Sequence, residues 1–208
     1  MQEIKNISFY RQSLKDRILD TSMILFAEKG IKAVKMDDIA TRLSISKRTL
    51  YEIYKDKEGL LFEGVKKYHS IRRERVRQVA HNNSNVIEVI LFAYREQVEA
   101  FRLTNPLFYS DMERYPKIVK YFEEENKSTR SLFLDFLRRG VDEGYFRDDI
   151  NYELIAHMFE ALGKYIMSNQ LYSKYTIEDL FMNILFVSLR GFCTERGSVL
   201  LDHHLNSK

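Results

Sequence analysis

The chain has 208 residues, enough for one or two small domains with a real core. It is 45% apolar and 30% charged, with 8 Gly, 2 Pro and a single cysteine, Cys193. That composition argues against a loop-rich or all-β fold, and a lone cysteine forms no internal disulfide, which favours a reducing compartment. Net charge is +3 but unevenly placed, +7 over residues 1–80 and −4 over 81–208. A basic first part on a mildly acidic remainder points to a polyanion-binding module joined to a body with another task; chance asymmetry on solvated faces is the alternative.

The first residues, MQEIKNISFYRQSLKDR, hold no signal-peptide core, and the apolar stretch 180–189 is about half of the roughly 20 residues that span a bilayer. A cytoplasmic protein without a membrane partner is expected.

Taken in chain order, apolar residues recur at helical spacing and no alternating strand pattern lasts. A first helix fits 13–29, with Leu14, Ile18, Leu25 and Phe26 on one face and Gly30 as its stop. Two short helices flank the SIS of residues 44–46. A fourth starts near Lys57, and HNNSN, 81–85, breaks it. Ile87, Ile90, Tyr94, Val98 and Phe101 mark the next. Asn105-Pro106 reads as an N-cap followed by proline at the first helical position. Pro116 opens a long helix that Gly144 closes, Asn151 caps another, and Thr176 with Asp179 forms a capping box before the last. The expectation is an all-α chain of about nine helices. The final residues, GSVLLDHHLNSK, read as a mobile or loosely packed tail.

The segment 37–61, DDIATRLSISKRTLYEIYKDKEGLL, carries the functional signal. Ile39 and Leu43 lie one turn apart on one helix, Leu50 and Ile53 one turn apart on the next, and Ile45 sits between. Small Ala40 stands where two steeply crossing helices approach closely. This is helix-turn-helix spacing. With Ile45, Leu50 and Ile53 inward, Lys47, Arg48, Thr49 and Tyr51 face outward on the half-helix that enters a major groove. Arg48 suits bidentate readout of guanine, and Thr49 a thymine methyl or a phosphate. Tyr51, Tyr54, Lys55 and Lys57 suit phosphates, which set register rather than sequence preference. A helical hairpin with a solvated basic face is the competing reading.

RILDTSMILFAEKG followed by KMDDIATRLSISKRTLYEIYKDKEGLL resembles the N-terminal domain of the TetR/AcrR family of bacterial transcription regulators. The likeness rests on Ile18, Phe26, Gly30, Ile39-Ala40, Ser46-Lys47, Tyr51, Tyr54, Lys57 and Leu60-Leu61, and covers about residues 16–61. Three positions depart from it: Lys35 stands where a capping Thr or Ser is usual, Ser44 replaces the glycine of the turn, and Ser22 replaces an alanine. Lys35 cannot cap, though it still reaches a phosphate.

The resemblance implies a helix-turn-helix DNA-binding domain over 10–60 and a helical ligand-binding and dimerisation domain over 61–208. It implies a homodimer on a palindromic duplex operator, and an effector of unknown identity, fairly apolar, in the second domain. The dimer helices would be about 152–170 and 176–195, with Phe159, Leu162, Ile166, Phe181, Leu185 and Phe192 at the interface; the same residues also suit an intrachain core. Aromatics that would line a ligand pocket are Phe92, Tyr94, Phe101, Phe108, Phe133, Phe136 and Tyr165, though plain core is the commoner role for any one. His157, His203-His204 and Cys193 are weak ligand, metal and redox signals. No phosphate loop, nucleophile elbow, zinc-protease signature or CxxC pair is present, so neither catalytic residues nor cofactors nor a metal are expected. A repressor released by a small molecule is the leading reading, with an effector-independent architectural DNA binder as the alternative.

Overall fold

The computed structural model describes residues 2–82 and 84–206, with side chains from residue 11 onward, and these are helical nearly throughout. Two compact units share the chain. One comprises Met1–Ile71 and Leu103–Lys120, the other Arg72–Arg102 and Tyr121–Lys208.

In the first unit, α1 (Gln2–Lys29), α2 (Met36–Arg42) and α3 (Lys47–Ile53) precede the start of α4 (Lys57–His81). Helix α1 begins earlier than the apolar spacing suggests. Ile18, Phe26, Ile39, Leu50, Leu60 and Leu61 are fully buried, and Ala40 lies among them at the α2 crossing. Burying each such side chain stabilises by roughly 1.5–3 kcal/mol. Ser22 is buried too, its hydroxyl donating to the Ile18 carbonyl at 2.6 Å. The short α6 (Pro106–Met112), capped by Asn105, also belongs here.

The turn between α2 and α3 is a Schellman ending. Ser44 N–H bonds Thr41 O at 3.1 Å and Ile45 N–H bonds Ala40 O at 3.0 Å. The residue at the left-handed position is Ser44, φ +54, where glycine is usual. The same bond pattern ends α7 at Gly144, φ +76, as the sequence leads one to expect.

The second unit is built from α5 (Val86–Arg102), most of α7 (Pro116–Asp142), α8 (Tyr152–Ser168), α9 (Ile177–Leu180), α10 (Phe186–Phe192) and α11 (Glu195–Asn206). A π-helical turn at Phe181–Leu185 joins α9 to α10. Its core gathers Ile87, Leu91, Leu137, Phe146, Phe186, Leu189, Phe192 and Leu201. Among the described residues there is no strand; Phe146 and Cys193 make an isolated antiparallel bridge.

The C-terminal segment corrects an expectation. As far as residue 206 it is not a loose tail but helix α11, with Leu201 fully buried and Arg190 bonding Asp202 at 2.5 Å; the last two residues lie outside the described ones. The lone Gly197 and the polar HH pair disguised an amphipathic helix. No helix is long and apolar enough to cross a membrane.

Candidate nucleic-acid interface

Ser46 starts α3, accepting from Thr49 N–H at 3.0 Å, with its hydroxyl 2.8 Å from that of Thr49. With Leu50 inward and fully buried, Lys47, Arg48 and Tyr51 are exposed, and Thr49 is half-buried beside its cap. The Arg48 side chain is 89% exposed and its Nε lies 2.9 Å from Glu52 Oε1. Lys47 reaches across the turn to Asp37 at 2.5 Å, so the start of α2 and the start of α3 are tied by one ion pair. That hydrogen bond and the Asp37 charge hold the Lys47 ammonium above the ordinary lysine range.

Lys35 stands just before α2 in extended backbone, exposed. Its ammonium has no lone pair with which to cap, so the end is closed from the other side: Asp38 Oδ2 accepts the Lys35 N–H at 2.8 Å. The ammonium stays beside a helix start, where anions are attracted.

Two residues expected on this surface lie elsewhere. Tyr54 is 4% exposed, and its hydroxyl donates to Glu63 at 3.3 Å. Burial first, then the Glu63 charge, push that phenol far above its ordinary range. Its ring follows the inward face shared with Leu50, so it is core rather than a phosphate contact. Lys57 is half-buried and donates to the carbonyls of Ile31 and Val34, both at 2.9 Å. Burial lowers its pKa, opposed by the Asp111 carboxylate. Two of its three donors serve the protein.

In the second unit the expected interface residues divide. Phe192 is 2% exposed and contacts Phe146 and Phe159 ring to ring at 5.1 and 6.1 Å, so it is core. Phe181 packs on Tyr94, and Phe159 on Phe133. Leu162, Ile166 and Leu185 are half-buried. Apolar groups left outside include Leu132, Tyr175 and Val199 and, on α8 and α10, Leu154 at 64%, Tyr165 at 58% and Val187 at 58%. Helical spacing places Leu154, Ala161 and Tyr165 on one stripe, which the choice of the bulkiest residues overlooked.

The expected pocket residues are also dispersed. Phe108 is buried in the first unit, whereas Tyr94 packs against Phe181 and Phe186 at 5.0 Å each. Phe136 backs the second core, Phe101 faces Tyr172 at 6.5 Å, and Phe92 is half-buried. Phe133 and Tyr165 are exposed. An open groove of about 630 Å³ is instead lined by Tyr145, Glu195, Arg196, Val199, Leu200 and His203. His157 is exposed, its Nδ1 3.4 Å from Arg130. The His203 and His204 rings contact each other, and among the described residues no three His, Cys, Asp or Glu side chains converge for a metal.

A three-helix head that presents an exposed arginine, lysine and tyrosine from a capped third helix is a helix-turn-helix DNA-binding module. Residues 18–63 match the family model described as bacterial regulatory proteins, tetR family, and that match, with relatives that are HTH-type transcriptional repressors, supports membership of that family. It is 26% identical over 148 residues to the HTH-type transcriptional repressor KstR2 of Mycobacterium tuberculosis, covering 69% of this chain and 74% of that protein. A TetR-family regulator from Marinobacter aquaeolei shares the fold, with TM-score 0.70 at 18% identity over 91% of this chain and 97% of that one. A transcriptional regulator from Saccharomonospora viridis, solved with choline, gives TM-score 0.66 at 19% identity, over 88% and 100%.

Proposed function

We propose that the chain is a transcriptional repressor that binds a palindromic duplex operator as a homodimer and leaves it when a small, fairly apolar molecule binds. Residues 10–60 read DNA, and residues 61–208 dimerise and take the effector. Arg48 reads a base edge, Thr49 and Tyr51 assist, and Lys35, Lys47 and Lys55 hold phosphates. The observation that carries this reading is the outward face of α3, where Lys47, Arg48 and Tyr51 stand clear of the core that Leu50 enters. Exposed Leu154, Tyr165 and Val187 support the dimer, since water-facing apolar groups gain by burial against a second copy. The repressor names of relatives such as KstR2 support the direction of regulation, and the choline-bound regulator supports a small-molecule effector.

Selection of duplexes from a randomised pool by the purified protein tests it. The recovered sites should share a two-fold motif with half-sites about one helical turn apart. Enrichment of no sequence, or of one without a dyad, refutes operator reading by a dimer.

A further inference from the structure

Asp111 is a buried carboxylate outside the DNA-facing surface. It lies in α6 at 7% exposure, and its Oδ2 accepts the Lys32 N–H at 2.7 Å. Lys57, at the start of α4, donates to the carbonyls of Ile31 and Val34. Two charged side chains from helices remote in sequence therefore hold three backbone groups of the single turn between α1 and α2. Backbone groups in a turn need partners when water is excluded, and charge-assisted bonds are the strong kind.

The turn is closed from its other end as well. Asn105 N–H bonds Ala27 O at 2.7 Å, docking the start of α6 on the end of α1. A Cβ at Gly30, φ +82, would stand 2.9 Å from Leu107 Cβ and 3.4 Å from Asp111 Oδ2, so the close approach needs glycine there. From this turn the chain enters Lys35 and α2, and α2 is tied to α3 by Asp37 and Lys47.

We propose that Asp111 and Lys57 are positioning residues for DNA binding, holding the start of α2, and through it α3, in reading geometry without touching DNA. The inference rests on the DNA-binding reading above. It goes further by placing a determinant in α6, beyond residues 18–63 that match the family.

Electrostatics alone has the opposite sign for Asp111. Deleting a carboxylate from a basic head strengthens attraction to a polyanion, whereas loss of positioning weakens binding. For Lys57 the discriminator is salt. A lost phosphate contact lowers the slope of log K against log salt by about 0.9; a lost positioning contact leaves the slope unchanged.

The test uses the full chain and Asp111→Ala, Asp111→Asn and Lys57→Met. Each is titrated by fluorescence anisotropy, over a salt series, against a duplex that the wild type selects from a randomised pool. Exchange of the Lys32 amide is measured without DNA. Asp111→Ala should lose about tenfold in affinity at unchanged slope, the worth of one charge-assisted hydrogen bond, and Lys57→Met, which gives up two, at least as much at unchanged slope. Asp111→Asn keeps an acceptor for Lys32 N–H and should recover most of the loss. Lys32 should exchange faster in Asp111→Ala and nearly as in wild type in Asp111→Asn. Wild-type affinity or tighter for Asp111→Ala, with Lys32 still protected, overturns the proposal, as does a flattened slope for Lys57→Met. Should Asp111→Ala not fold, the affinity and slope of Lys57→Met decide alone. A wild type that selects no duplex brings down the DNA-binding reading itself, a result distinct from a bound duplex to which Asp111 is indifferent.

Discussion

Arg48 and Glu52 form an ion pair along α3, Nε to Oε1 at 2.9 Å, one turn apart on its exposed face. The guanidinium offered to a base edge is thus already held, and DNA competes with a carboxylate for it. An exposed pair of this kind is worth only about 0.3–0.5 kcal/mol, so a bidentate guanine contact displaces it readily. Arg48→Ala should weaken binding to a selected duplex more than to random DNA, by about 1–3 kcal/mol of discrimination. Glu52→Ala removes a charge that repels phosphate and competes for Arg48, and should tighten both. Anisotropy titrations on both duplexes check this; equal losses on both for Arg48→Ala would make Arg48 a phosphate contact.

Ser44 carries a left-handed backbone, φ +54, at the heart of the helix-turn-helix. A Cβ there costs about 1–2 kcal/mol that glycine does not incur, partly offset by the greater freedom of glycine in the unfolded chain. Ser44→Gly should stabilise by about 1 kcal/mol, raising Tm by roughly 2–4 °C in a chain of this size. Thermal unfolding by circular dichroism measures it, and a lower Tm excludes strain at this turn.

The exposed stripe of α8 and α10 sets the expectation for assembly. A charge placed there is harmless on a free surface and costly in an interface. Leu154→Glu and Val187→Glu should each shift the protein to monomer in sedimentation velocity at micromolar concentration, with the far-ultraviolet spectrum kept. Phe192→Ala, by contrast, empties a core site and should cost about 3–5 kcal/mol of stability.

Gly197 lets α11 close onto the loop after α7. A Cβ there would meet Tyr145 O at 2.2 Å, and a backbone oxygen cannot swing aside. Gly197→Ala should therefore destabilise by about 1–3 kcal/mol, as overpacking does. Urea unfolding decides it; an unchanged midpoint would mean that α11 floats.

Burial pushes the Cys193 thiol up from 9.0 to about 11, Arg190 partly opposing it and Asp202 assisting. A pKa raised in the folded state contributes stability that is complete below the unfolded value and is lost as pH rises through the folded one. Stability should accordingly fall between pH 9 and 11, and the fall should be smaller in Cys193→Ala. The same burial predicts slow labelling of the native protein by iodoacetamide at pH 8, against rapid labelling in denaturant.

Much of this was legible in the sequence because the signals are local. Caps at Asn105, Asn151 and Thr176 depend on one side chain and an amide two or three residues on, and each is formed. The outward face of α3 follows from helical spacing once Leu50 is inward. The resemblance added the family and, with it, the expectation of a domain division and a dimer that residue patterns alone do not supply.

What spacing cannot decide is which of several apolar faces meets a neighbour, and which cation meets a backbone carbonyl. Phe192 and Val187 both lie on α10, yet only the packing of α5, α7, α8 and α11 buries the first and leaves the second in water. Lys57 reads like any cation after a recognition helix, until the turn at Ile31–Val34 folds back to receive its ammonium. Asp111 gave no signal at all, because its partner is an amide 79 residues away. Local sequence determines helices, caps and outward faces through contacts one turn long. The tertiary structure decides burial and long-range pairing, because those depend on which surfaces exclude water from one another.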